Sequence, residues 1–149
     1  MKLTHQIETT VFSYSNENFE AILTSFLGLF PFNIEEEKIK LERSSAAGFN
    51  NKGIIVLRIK LQKESHTTKF IQRIFSILGD EEKNKLSRQL ETSLDDELNF
   101  FMRFEKDEWV ENRKLKLTDS GRCFHIKISL AAFPKNRKSA AAIIRKLLE

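Results

Sequence analysis

Arg122-Cys123-Phe124-His125-Ile126-Lys127-Ile128-Ser129-Leu130-Ala131-Ala132 is the stretch that decides the fold class. Apolar and polar residues alternate from Phe124 to Leu130, and successive side chains of a strand point to opposite faces. Phe124, Ile126, Ile128 and Leu130 therefore belong to a core. Cys123, His125, Lys127 and Ser129 belong to a second face, left to water. One buried and one wet face mark an antiparallel sheet covered on a single side. Just upstream, Arg113 to Leu117 alternates too, and Thr118-Asp119-Ser120-Gly121 carries turn chemistry. The spacing predicts a hairpin in which Leu115 and Leu117 face inward while Lys114 and Lys116 face outward.

Outward from that hairpin the same reading continues. Pro134 ends the last strand, and Asn136 to Leu148 has helical spacing, with Ala140, Ile143, Ile144 and Leu147 inward. Leu98 to Phe104 reads as a strand that presents Phe101 and Arg103 outward. Ile54 to Leu61 is β-branched and alternating, and presents Arg58 and Lys60. Between these two, Phe70, Ile71, Ile74, Phe75 and Leu78 form one helical stripe closed by Gly79. Asp80 caps the next helix, whose first turn holds Glu81 and Glu82 and whose seam is Leu86, Leu90 and Leu94. Residues 34–43 predict an exposed strand carrying Lys38 and Lys40, followed by a flexible connection from Ser44 to Gly53. At the front, His5 to Ser13 is a strand. Ser15 is placed to cap a helix bearing Phe19, Ile22, Leu23 and Phe26, ended by Gly28 and Pro31. The order β-α-β-β-α-α-β-β-β-α implies one α+β domain over residues 1–149. It is a largely antiparallel sheet with helices on one face and the other face open.

Charge is distributed unevenly along this plan. The net charge is only +4, yet Arg113 to Glu149 holds ten Lys or Arg against two acids, whereas residues 93–112 are strongly acidic. A basic segment on rigid elements attracts polyanions through Coulomb attraction and counterion release. Arg58, Lys60, Arg103, Lys114, Lys116 and Lys127 are the candidate nucleic-acid-binding residues of the open sheet, with Phe101 placed to stack on a base. Lys135, Arg137 and Lys138 fall at the start of the final helix, where free N–H groups and the Arg137 fork would hold a phosphate.

Catalytic patterns are missing from the sequence. There is no glycine-rich phosphate loop and no Gly-x-Ser-x-Gly elbow, and His5, His66 and His125 lack metal-ligand spacing. Cys123 and His125 share a strand face, but two residues along a strand separate them by about 7 Å, too far for a nucleophile and its base. Asp95, Asp96 and Glu97 point in alternate directions on extended backbone and do not converge on a metal. Glu105, Asp107, Glu108 and Glu111 around Trp109 predict an exposed acidic loop. The lone Cys123 rules out an internal disulfide, and no apolar run approaches the roughly 20 residues of a membrane span. The expected setting is cytoplasmic, with no membrane, metal or cofactor.

The segment Asp95-Asp96-Glu97-Leu98-Asn99-Phe100-Phe101-Met102-Arg103-Phe104-Glu105-Lys106 resembles the D-x-x-x-N-[aromatic]-x-x-R-F-D-K signature of an archaeal family of RNA-binding proteins and predicted exosome subunits. The resemblance continues through Lys114 to Asp119, Ile126-Lys127-Ile128, Phe133 to Arg137 and Leu29-Phe30-Pro31. Two departures are plain. The family's G-H-x-G-N-P loop is Gly48-Phe49-Asn50-Asn51-Lys52-Gly53 here, and its R-F-D-K is Arg103-Phe104-Glu105-Lys106. The resemblance implies a fold like that of the ribosomal proteins that bind 5S RNA. It also implies RNA as partner, with exosome or ribosome components nearby. Together these features predict a non-catalytic RNA-binding protein acting in RNA processing or degradation, or on ribosomal RNA. The alternative is a protein–protein module, a homodimer or adaptor using the same open face.

Overall fold

Phe124, Ile126, Ile128 and Leu130 are buried in the computed structural model, which describes residues 2–47 and 53–149. They lie on β5 (Cys123–Leu130), one of five strands in a single sheet. The others are β1 (Thr4–Tyr14), β2 (Leu41–Ala47), β3 (Gly53–Leu61) and β4 (Asn99–Glu105). The spatial order is β2-β3-β1-β5-β4, with every neighbouring pair antiparallel. Among the described residues six helices accompany them: α1 (Phe19–Leu27), α2 (Glu64–Ile77), α3 (Asp80–Arg88), α4 (Leu90–Ser93), α5 (Lys106–Asn112) and α6 (Arg137–Leu147).

One face of the sheet carries the core. Ile7 and Val11 of β1, Leu57 and Ile59 of β3, Phe100, Met102 and Phe104 of β4 and the four β5 residues pack against helical stripes. Those stripes are Ile22 and Phe26 of α1, Phe70, Ile71, Ile74 and Phe75 of α2, and Ala140 and Ile144 of α6. The phenylalanines fill this layer by ring contact. Phe26 stacks on Phe124 at 6.3 Å and meets Phe30 edge-on at 5.9 Å, geometries that the aromatic quadrupole favours. The single-domain α+β plan with one open sheet face thus follows from the strand and helix periodicities.

Four local expectations are corrected. The Arg113–Leu117 strand does not form a hairpin with β5. The Glu105 N–H donates to the Lys116 carbonyl at 2.7 Å and the Thr118 N–H to the Arg103 carbonyl at 3.0 Å, so the segment bridges the outer edge of β4. Leu115 is buried, and Lys114 and Lys116 are exposed, so the in-out alternation holds with a different neighbour. The acidic loop around Trp109 is helix α5, and Trp109 is 1% exposed, its Nε1–H donating to the Ser25 carbonyl at 2.6 Å. Asp107 and Glu108 stand in its first turn, where the helix dipole favours acids. The second strand is 41–47 rather than 34–43. Asn33 Oδ1 accepts from the Glu35 and Glu36 N–H groups and winds a turn there, which leaves Lys38 and Lys40 before the strand. Ser44 to Ala47 instead pair with β3, tertiary pairing overriding weak local propensity. Finally, Asn18 rather than Ser15 caps α1, accepting from the Ala21 N–H at 3.1 Å. The rest of the expected flexible connection, residues 48–52, lies outside the described residues.

Candidate nucleic-acid interface

Strand register makes the open face legible row by row. Glu42, Arg58, Thr10, His125 and Arg103 stand side by side across all five strands. The adjacent row holds Lys60, Glu8, Lys127 and Phe101. Among the described residues no helix covers these side chains: Lys60 and Arg103 are exposed, and Phe101, His125 and Lys127 are half-buried. Arg58 is partly neutralised, its Nε lying 3.0 Å from Glu8 Oε1. Lys60, Arg103 and Lys127 have no ion pair within 4.0 Å among the described residues. His125 is held below its ordinary pKa by burial, then by Arg103 and Lys127, against the opposing pull of Glu8. At neutral pH it is an uncharged ring, tilted against Phe101 with centroids 5.6 Å apart.

The remaining candidate cations are scattered. Lys116 stands at the β4 edge, its Nζ 3.8 Å from Glu105, and Lys114 is exposed beside it. Lys135 and Lys138 are exposed near the start of α6, a helix that packs on the core side of the sheet. Arg137 is not available as a phosphate fork. Its guanidinium donates to the Leu94 and Glu91 carbonyls and meets the Glu91 and Asp96 carboxylates at 3.3 and 3.5 Å. The helix end itself is capped by Asn136, whose side chain accepts from the Ser139 N–H at 2.8 Å. The expected nine-residue surface is therefore one cluster of Arg58, Lys60, Arg103 and Lys127, with separate outlying lysines.

Much of the signature segment serves the backbone rather than a ligand. Asp95 Oδ1 accepts from the Glu97 and Asn99 N–H groups at 3.0 and 2.8 Å, and Oδ2 accepts from the Asn99 side chain. Burial alone would raise the Asp95 pKa, but these donors outweigh it and hold the carboxyl low. The turn they close contains Leu98 at φ 67°, a costly conformation for a branched side chain. Asn99 Oδ1 then accepts from the Ser129 hydroxyl at 2.7 Å, tying β4 to β5. At the far end Lys106 is 2% exposed. Its Nζ donates to the Phe12 carbonyl at 2.6 Å and to Glu17 Oε1 at 3.0 Å, and sits 5.0 Å from the Tyr14 ring centroid. Arg122 adds bridges to Glu17 and Asp107, both at 2.8 Å. Burial would raise the Glu17 carboxyl, yet the Tyr14 N–H, Lys106 and Arg122 together hold it below the usual range. Sequence reasoning missed this corner, because Glu17 and Lys106 are far apart in the chain. The available signals were a lysine directly after an alternating strand and its place at the end of the Arg103-Phe104-Glu105-Lys106 segment.

The chain resembles known proteins along nearly its whole length. It is 23% identical over 145 residues to the RNA-binding protein PAB1135 of Pyrococcus abyssi, covering 97% of this chain and 94% of that one. Among solved structures, protein AF2318 from Archaeglobus fulgidus superposes with a TM-score of 0.83 at 23% identity, covering 98% of this chain and 99% of the other. Mth689 from Methanothermobacter thermautotrophicus, a DUF54 protein, gives 0.78 at 25% identity, covering 99% of both chains. A UPF0201 protein from Methanococcus jannaschii gives 0.61 at 12% identity, covering 97% of this chain and 99% of that one, and shares the fold alone. A family model described as RNA binding matches residues 6–130, from within β1 to the end of β5, and by that match this chain belongs to the RNA-binding family.

Proposed function

We propose that this protein binds RNA without catalysis, holding phosphates with Lys60, Arg103 and Lys127 on the open sheet face beside Phe101. The observation that carries this reading is that those three cations have no ion pair within 4.0 Å among the described residues, on a sheet face that no described helix covers. Free lysines and arginines on a rigid sheet release counterions when they meet phosphate. An aromatic ring among them can take up an exposed base. Family membership and the name of the Pyrococcus relative agree with it. A role in RNA processing or degradation beside the exosome, or on ribosomal RNA, is supported by the signature resemblance and is proposed on that ground.

Fluorescence anisotropy of labelled hairpin RNA at two salt concentrations tests the reading. Binding should be present at low salt and weaken steeply as salt rises. Absence of binding at low salt, or binding indifferent to salt, refutes it. Concentration-dependent self-association through the sheet, unaffected by salt, would establish the protein–protein alternative instead.

A further inference from the structure

Phe101, His125 and Phe12 lie on three adjacent strands, β4, β5 and β1. Phe101 shares a row with Lys127, His125 stands one row further on opposite Arg103, and Phe12 one row further again opposite Val56. The three rings therefore run diagonally across the open face. Diagonal neighbours in an antiparallel sheet are about 7–8 Å apart, within reach of aromatic side chains. Phe12, 40% exposed, is with Phe133 one of the two exposed large hydrophobic side chains among the described residues. Phe12, His125, Arg58 and Arg103 line one shallow hollow of about 420 Å³. Arg103 and Phe101 also line a second hollow of about 510 Å³, reaching past the β4 edge to Lys85 and Gln89. Arg103 borders both hollows, Phe101 lining one and His125 and Phe12 the other, so the three rings mark a candidate track across the face.

A double helix hides its base faces and would meet such a track only through its phosphates. Rings in series are matched by bases that have left their own stack, because every base has a face to offer and each stack adds affinity without demanding a sequence. We propose that this track binds an unpaired stretch of RNA, with consecutive bases stacked on Phe101, His125 and Phe12 and phosphates held by Arg103, Lys127 and Lys60. The proposal rests on the RNA-binding reading above and narrows it to single-stranded segments, loops or ends.

Anisotropy titrations of the full chain decide it, with a fluorescein-labelled unstructured ten-nucleotide RNA and a labelled ten-base-pair RNA duplex as probes. Phe101→Ala should weaken the single strand about fivefold or more and move duplex affinity by less than about twofold. Phe101→Trp should keep the single-strand affinity, since stacking survives. Phe12→Ala, at a side chain that is 40% exposed, gives an independent reading should Phe101→Ala lower the thermal midpoint. If both probes bind the parent chain but the Phe101 and Phe12 variants leave both affinities unchanged, or reduce both equally, the ring track is overturned while RNA binding stands. If neither probe binds the parent chain at low salt, the RNA reading fails and takes this proposal with it.

Discussion

Arg122 and Lys127 belong to the same basic run, and the structure uses them in opposite ways. Arg122 bridges Glu17 and Asp107 beside the buried Lys106, so its charge is spent inside the molecule. Lys127 stands on the open sheet beside Phe101 with no ion pair among the described residues. The contrast extends to whole regions. In the corner where β4 meets α5, Lys106, Arg122 and Lys116 each have an acid, a carbonyl or a ring within reach. Arg113 follows that pattern, donating to the Trp109 and Val110 carbonyls at 2.8 Å, as does Arg137 in the turn after α4. On the open face, Lys60, Arg103 and Lys127 have no ion pair among the described residues. The difference teaches that a surplus of positive charge locates a polyanion site only after the structurally committed arginines are subtracted.

The largest expected effect lies in the corner. Lys106→Ala removes one of the two cations that hold the Glu17 carboxylate, itself 9% exposed, and the donor to the Phe12 carbonyl, and should cost about 2 kcal/mol of stability, less than breaking an isolated buried pair because Arg122 still meets Glu17. Urea denaturation measures it, and a loss under about 1 kcal/mol would mean that the corner is not a structural pin. Next comes Arg137→Ala, which strips hydrogen bonds from the Leu94 and Glu91 carbonyls and should cost about 1–2 kcal/mol. Its RNA affinity should stay within about threefold of the parent. A loss of affinity with unchanged stability would return Arg137 to the binding surface.

Acid should act on the same corner. The Glu17 pKa is depressed in the folded state relative to its ordinary 4.5, so its stabilisation is fully present above that value and is lost as pH falls through the lower folded value. Asp95 and Asp107, also held low, act in the same direction. Thermal melts between pH 7 and pH 3 should show this decline, and Glu17→Gln should make it shallower. An equally steep decline in the variant would remove Glu17 from the explanation. The smallest effect is expected at the β4 edge, where Lys116 already leans on Glu105. Lys114→Glu with Lys116→Glu should move stability by less than about 1 kcal/mol and weaken RNA binding less than a reversal on the open face. A larger loss there would shift the site's centre to the edge.

What was legible in the chain follows from periodicity. The alternation of Phe124 to Leu130 and of Ile54 to Leu61, and the stripe from Phe70 to Leu78, each express one buried face and appear as β5, β3 and α2. Helix α5 was not legible, since Trp109 and Val110 alone give no helical period and the acids around them look like solvent-facing loop. Strand β2 was misplaced because Ser44 to Ala47 become a strand only through pairing with β3. For the site, strand parity correctly set Arg58, Lys60, Arg103 and Lys127 on one face. It could not reveal that Arg137 belongs to the turn after α4, because that contact spans more than forty residues of chain. The fork expected for phosphate is occupied by the protein's own carbonyls.

The central claim is that free open-face cations, and not the arginines tied into the scaffold, meet RNA. It is tested most directly by the salt dependence of RNA affinity for Lys60→Glu with Lys127→Glu, set against Arg137→Ala. For the lysine pair, affinity at low salt should drop about tenfold or more, and the slope of log affinity against log salt should shrink by about 2, one unit per lost phosphate contact. Arg137→Ala should leave the slope where it was. An unchanged slope in the lysine pair together with a reduced slope in Arg137→Ala would contradict the account.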